Sequence, residues 1–553
     1  SRALAKRTPD LRFDRTITVP FAPETPASGI GTGAPVRRAW YRRPLPAART
    51  GWRTLLHLGA VDRTADVWVG GAHVAGHEGG YAPWSVDVTD SLGDAGADLV
   101  VRADDDERDL DVPRGKQEWQ DEPHSIFYPR TTGIWRTVWL EQVPPVRIED
   151  VRWSAEARTT TVAVAVQLPV AAVGHRLRIR LRRGTRVLAD DDVLVTRPEV
   201  ARSYALGDGG FDDRQALLWE PARPVLLDAE LALLDPRGDV VDEVASYTAV
   251  RDVRVEDGRF LLNGRPQPLR LVLDQGYWPG TGATPPDGAA LRRDVELALA
   301  LGFTGARKHQ KTEDPRYLAW ADRLGLLVWA EMPSPQRAGD AAARNLLREW
   351  PEVVVAHRGH PGVVAWVPLN ESWGVTGAET DPRQAALVRA LAAAADALDG
   401  TRPVSANDGW ETRGGGILGV HDYDQDAARL AARYRDAGAL AATLGRRRDD
   451  GLLPDLDRRA PDGRAVVLSE FGGVALRAEE DGTGAWGYGE ARSPADLLAR
   501  YRALWAAVHA SDVLAGACWT QLTDTYQEIN GLLRADRTPK ADVAELAAAT
   551  RGG

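Results

Sequence analysis

Over the first 250 or so positions, hydrophobic and polar residues alternate in short runs of two-residue period; beyond that, runs with helical spacing take over. Runs such as Asp66-Val-Trp-Val-Gly-Gly and Ser85-Val-Asp-Val-Thr, broken by Gly, Pro and Asp, predict an antiparallel β-sandwich over residues 1–145. Further strands at regular spacing, Thr161-Val-Ala-Val-Ala-Val and Leu177-Arg-Ile-Arg-Leu among them, fit a smaller immunoglobulin-like sandwich over 146–250. From 251 to 553, apolar runs at 269–273, 305–308, 326–330, 363–369, 404–407, 417–420, 465–468 and 514–519 alternate with amphipathic stretches at 290–301, 315–324, 341–354, 382–398, 426–437 and 495–508. Strands alternating with helices over about 300 residues predict a (β/α)8 barrel. A doubly wound open sheet is the alternative, but no Gly-rich nucleotide loop supports it.

Two of the apolar runs stop on a glutamate. Val363-Val-Ala-Trp-Val-Pro-Leu-Asn-Glu371 and Val466-Val-Leu-Ser-Glu470 read as buried parallel strands whose last side chain emerges from the sheet. As the ends of strands four and seven, both belong to the carboxyl-terminal rim, where barrels keep their chemistry. Glycosidic cleavage needs a proton for the leaving oxygen and negative charge beside an oxocarbenium-like centre, which two carboxyl groups in different protonation states supply. Asn370, next to Glu371, can donate its amide to a sugar hydroxyl. A strand-end carboxylate paired with Arg is the structural alternative for each glutamate taken singly.

Composition narrows the field. At 553 residues the chain exceeds a single core and predicts several domains. A formal charge of −10, spread along the chain, disfavours nucleic acid and anionic membrane as partners. Every apolar stretch is interrupted before the ~18 residues a membrane span needs. The single cysteine, Cys518, excludes an internal disulfide and any multi-cysteine metal site, and its apolar surroundings predict a buried, inert thiol. No metal or cofactor is expected; a carbohydrate is the expected partner, a homo-oligomer is open, and a cytoplasmic location is favoured over secretion. The five lysines are Lys6, Lys116, Lys308, Lys311 and Lys540.

The order of domains, together with Asn370-Glu371 and Ser469-Glu470-Phe-Gly-Gly, resembles glycoside hydrolase family 2, the family of β-galactosidases, β-glucuronidases and β-mannosidases. Supporting motifs are His77-Glu-Gly-Gly-Tyr-Ala-Pro-Trp84, Thr132-Gly-Ile-Trp-Arg-Thr-Val-Trp-Leu-Glu141, Gly305-Ala-Arg307 and Asp536-Arg-Thr-Pro-Lys540. The resemblance implies a jelly-roll for the first sandwich and a retaining exo-mechanism with Glu371 as acid/base and Glu470 as nucleophile. It also implies that Arg307 braces the nucleophile and that Glu331, Tyr423 (in His421-Asp-Tyr) and Trp519 line the site. His309 and Gln310 stand where the family often shows Ser-His-Tyr-Pro, so Gln310 replaces an expected sugar-binding His. β-Glucuronidases carry an Asn-x-Lys pair where this chain has Glu528-Ile-Asn530. Glu528 is therefore expected to repel a uronic acid, and the expected substrate is a neutral, β-galactoside-like sugar in pyranose or furanose form. A β-glucuronidase, or a non-catalytic carbohydrate-binding protein on the same barrel, is the alternative.

Overall fold

A computed structural model describes residues 11–207, 210–457, 462–478 and 484–553. The first ten residues assigned to the first sandwich lie outside them. Two sheets form that sandwich. One runs Arg38–Leu45, Ala97–Asp104, Thr64–Val69, Ala72–Glu78, and the other Trp84–Asp87, Arg53–Leu58, Val138–Val143, all antiparallel. Strand Arg53–Leu58 shows why: Leu56 and Leu58 point inward beside Val67, Val69 and Val101, while the residues between them face out. A second sandwich pairs the sheet Asp150–Glu156, Thr161–Gln167, Glu199–Ala205 with the sheet Arg186–Leu194, Arg176–Arg183, Leu227–Leu234, Val240–Thr248. Val162, Val164 and Val166 meet Leu177, Ile179 and Leu181 between those sheets. Each of these buried aliphatic side chains contributes about 1.5–3 kcal/mol.

The barrel is a parallel sheet of seven strands. Its order is Val363–Val367, Leu327–Glu331, Gly305–Lys308, Leu269–Asp274, Gly516–Thr520, Ala465–Gly472, Ile417–Asp422. The expected strand at 404–407 closes the ring through single bridges, Val404 to Trp366 on one side and Ser405 to Ile417 on the other. Pro403, lacking an N–H, precedes it and offers only its carbonyl, to the Trp366 N–H, so no longer ladder forms there. Period-two alternation divides each strand between two cores. Leu271, Leu273, Trp329, Val467 and Cys518 fill the barrel interior, and Val272, Val328, Leu468 and Trp519 face the helices. Cys518 is fully buried, and burial pushes its thiol well above the ordinary range.

The helices follow their caps. Pro315–Leu324 starts on Asp314, whose side chain accepts from the Arg316 N–H, and stops at Gly325 with φ +82°. A β-carbon at Gly325 would lie 2.3 Å from the Pro221 carbonyl oxygen, so glycine there lets the second sandwich's linker close on the barrel. The stretch expected as one helix over 426–437 is two, Ala427–Arg433 and Ala437–Leu444. Asp436 accepts from the Ala439 N–H and starts the second, so a polar residue read as helix interior is an N-cap. A helix at Val543–Arg551 was not anticipated.

Candidate active site

Strand four ends at Val367, and the chain then turns sharply. Glu371 and Ser372 adopt φ +52° and +59°, a conformation that costs non-glycine residues roughly 1–3 kcal/mol. The turn is held from the strand-five segment: Glu371 N–H donates to the Asp408 carbonyl at 2.8 Å, and Ser372 N–H to Asn407 Oδ1 at 3.1 Å. The Glu371 side chain thereby points across the barrel mouth. There it reaches His421 Nδ1 at 2.7 Å. Glu470 leaves strand seven into the same space. Single side-chain atoms of Glu371, His421 and Glu470 all lie within 4.8 Å of one another.

Arg307, wholly buried at the end of strand two, organises the floor. Its Nε donates to Glu331 at 2.8 Å, one terminal nitrogen to Asn370 Oδ1 at 2.7 Å, and the other to Glu470 at 3.0 Å and the Ser469 carbonyl at 3.1 Å. That last nitrogen also stands 2.8 Å from Asp408. Burial works against the guanidinium charge, but Asp408, Glu331 and Glu470 outweigh it and raise its pKa further. Asp408 is held well below the carboxylate range because Arg307 and His421 overcome its burial. His421 donates from Nε2 to Asp408 at 3.0 Å. Against the cost of burial, Glu470, Asp408 and Glu371 push it up to about 9, so at neutral pH it is an imidazolium hydrogen-bonded at both nitrogens. Glu371, His421 and Glu470 have a metal-like spacing. Both His421 ring nitrogens are taken up by the Glu371 and Asp408 carboxylates, and the trio reads as an acid–base array.

Tyr423 donates its hydroxyl to the other Glu470 oxygen at 2.5 Å. Burial and the Glu470 charge keep that phenol protonated far above its normal range. Its ring stacks on Tyr488, centroids 3.4 Å apart. Asn370 spends its oxygen on Arg307, while its buried Nδ2 has no protein partner. An amide donor left open beside two carboxylates suits a substrate hydroxyl.

The remaining expected residues divide. His309 is buried, with Nδ1 3.2 Å from Glu331 and 3.9 Å from Glu470. Burial, aided by Lys116 and Arg307 and opposed by Glu470, keeps it neutral. Glu331 holds Arg307 and the Gln310 N–H and is 1 % exposed, so it positions the floor instead of facing a ligand. Gln310 accepts from the Ser334 N–H through Oε1, leaving Nε2 open. Trp519 corrects an expectation. It faces outward to the helix layer, 4.5 Å from Tyr501 and 5.2 Å from Phe471 by ring centroids, and does not line the mouth. Its neighbour Thr520 does, its hydroxyl standing 3.2 Å from that of Tyr423. Glu528 is 2 % exposed and is already bound by the Tyr128 hydroxyl and, at 3.4 Å, by Asn530.

Several residues escaped sequence reasoning. Asp408 ends the run Val404-Ser-Ala-Asn-Asp408 and could have been found by the strand-end rule that found the glutamates. Lys116, Phe127 and Tyr128 come from the first sandwich, and no local pattern announces that its loops reach the barrel. Phe127 stands 5.6 Å from Trp373, ring to ring, just past Glu371.

Two strand-end glutamates facing each other across His421 on a parallel barrel, with an asparagine preceding one of them, define a barrel of the glycoside hydrolase class. Residues 253–418 match the family model described as "Glycosyl hydrolases family 2, TIM barrel domain". Among relatives, it is 26% identical over 348 residues to a β-galactosidase of Thermoanaerobacter pseudethanolicus, covering 60% of this chain and 45% of that protein. To a β-glucuronidase of Paenibacillus borealis it is 25% identical over 412 residues, covering 66% and 63%. The chain thus spans less than two thirds of the length of these curated relatives. In fold it is similar to the β-D-glucuronidase of Dictyoglomus thermophilum, with TM-score 0.76, 19% identity and 99% and 95% of the two chains covered. It is likewise similar to a β-galacturonidase of Eisenbergiella tayi, with TM-score 0.72, 18% identity and 99% and 94% covered.

Proposed function

We propose that the protein is a retaining exo-β-glycosidase that removes the non-reducing terminal sugar of a β-linked glycoside. In this reading Glu470 attacks the anomeric carbon, and Glu371 protonates the leaving oxygen and then activates the water that releases the sugar. The observation that carries the reading is the approach of Glu371 and Glu470, with oxygens within 4.8 Å. That spacing favours double displacement, since an inverting pair stands about 6.5–9.5 Å apart to admit a water. Arg307 and Tyr423 each hold one Glu470 oxygen, which suits a nucleophile fixed in position for attack. The Asn370 amide is free to bind the 2-hydroxyl, where bonds strengthen in the transition state. Loops of the first sandwich at 114–118 and 127–128 wall the mouth on one side, which favours a terminal sugar over a mid-chain one. Glu528 no longer speaks against an acidic sugar, because its carboxylate is engaged by Tyr128 and Asn530. The test is a panel of 4-nitrophenyl β-glycosides, neutral and acidic, pyranosides and furanosides, with proton NMR of the first-formed anomer. Release with retained configuration is expected. Inversion, or no release from the whole panel by folded protein, would overturn the reading.

A further inference from the structure

We infer that Lys116, carried by the first sandwich, determines specificity by binding a carboxylate on the substrate, so that the preferred terminal sugar is a uronic acid. This rests on the glycosidase reading and names its substrate class. Lys116 is 6 % exposed. Among the described residues its ammonium makes no hydrogen bond and no ion pair. Its nearest electron-rich neighbours are ring faces: Nζ lies 5.8 Å from the centre of Trp373 and 6.0 Å from that of Tyr128. Trp373 is two residues beyond Glu371 and Tyr128 is bonded to Glu528, so the charge sits on the wall of the same mouth.

Ring contacts at that distance recover little of what a desolvated ammonium loses. A largely buried charge without a counter-ion is unfavourable, and a surface lysine ordinarily escapes by extending its stem into water. Here the backbone prevents that. Arg114 and Gly115 N–H groups both donate to the Ser334 carbonyl, and Gln336 Nε2 donates to the Gly115 carbonyl at 2.9 Å. The Lys116 carbonyl accepts from the Tyr128 N–H at 2.7 Å. Gly115 has φ +59°, and a β-carbon there would lie 2.3 Å from the Gln310 carbonyl oxygen, so only glycine lets the loop lie on the barrel rim. The lysine is therefore pinned at both flanks and presented inward.

The ligand class follows from charge counting. The other buried cations nearby are satisfied: Arg307 by Glu331, Asp408 and Glu470, Lys308 by Asp274 and Glu313, and Lys311 by Glu313 and the Gly276 carbonyl. One open ammonium, with no second free cation nearby among the described residues, matches a single negative charge, a carboxylate and not a phosphate dianion. With Asn370 on the 2-hydroxyl and the glutamates at the anomeric carbon, the wall is left for the far side of the ring, where a uronic acid carries its carboxylate.

The test compares wild type, Lys116→Met and Lys116→Arg on 4-nitrophenyl β-D-glucuronide and β-D-galacturonide against the matching glucoside and galactoside. Wild type should prefer a uronide. Lys116→Met keeps the stem and removes the charge; it should lower uronide kcat/KM by about 100-fold, mainly through KM, and change neutral glycosides less than about threefold. Lys116→Arg should recover part of the loss. The Met variant should also melt no lower than wild type, since it removes an uncompensated charge. Equal losses on both sugar classes, or a wild-type preference for neutral sugars, would overturn the assignment. Calorimetric binding of free glucuronate and galacturonate separates this inference from the one beneath it. Uronate binding that Lys116→Met abolishes, in a protein that cleaves no glycoside, would keep the clamp and sink the glycosidase reading; cleavage of glycosides with no Lys116-dependent uronate binding would do the reverse.

Discussion

The floor and the wall of the barrel mouth are built on opposite principles. On the floor, Arg307 sits among Glu331, Asp408 and Glu470, and His421 joins Asp408 to Glu371, so each buried charge meets an opposite one within 3.0 Å or less. On the wall, Lys116 is buried too, but among the described residues its ammonium meets only aromatic faces. A closed network fixes geometry and protonation before any ligand arrives, as acid–base chemistry requires. An open charge is stabilised only when a ligand completes it, as discrimination requires. Floor substitutions should therefore injure every substrate alike, and wall substitutions should sort substrates from one another.

The largest effect should come from Glu470→Gln. Turnover should fall by about 10⁴-fold or more on neutral and acidic glycosides together, because no other group can form the glycosyl-enzyme. A substrate that escaped this loss would mean the floor is not shared. Glu371→Ala comes next, costing about 10²–10⁴-fold where the leaving group needs a proton and much less on aryl glycosides with good leaving groups. Added azide should restore the second step there. If azide instead rescued Glu470→Ala with retained configuration, the two roles would be reversed.

Tyr423→Phe probes the joint between floor and wall, since its hydroxyl holds Glu470 while its ring stacks on Tyr488. Loss of a hydrogen bond to a charged group, about 1.5–3 kcal/mol, predicts a fall in kcat of about 10–100-fold for every sugar. A loss confined to KM would place Tyr423 on the wall. The smallest expected effect is on stability. His421 is raised from 6.5 to about 9, so it contributes most below pH 6.5, and that contribution fades as pH rises to about 9. Over that window thermal stability should drop by no more than about 3 kcal/mol, and His421→Asn should flatten the drop. An unchanged slope in the variant would mean that the imidazolium is not what holds Asp408 and Glu371 together.

Much of this was legible in the chain because it depends on neighbours in sequence. Strand-end positions are written in runs such as Val363 to Glu371, since alternation and apolar content report burial locally. Asp408 was equally legible, and its run was read only as a strand. Trp519 was misassigned for a related reason. Period two says that neighbouring strand residues face opposite ways but not which face is inward, and Cys518 took the inner side.

By itself, then, the sequence determined two sandwiches followed by a barrel and placed Glu371, Asn370 and Glu470 on one rim of it, while Arg307 and Tyr423 were implied by the family resemblance. Hydrophobic periodicity and strand ends are properties of consecutive residues, and each is settled by burial within its own element. Tertiary structure alone decided which charges remain uncompensated. Glu528 changed from a lone acid to the acceptor of Tyr128, some 400 residues away in sequence, and Lys116 became an open cation beside Trp373 only because Gly115 lets its loop lie against Gln310. Electrostatic balance at a site is a sum over everything within a few ångströms, and a linear order of residues does not say which distant segments contribute to that sum.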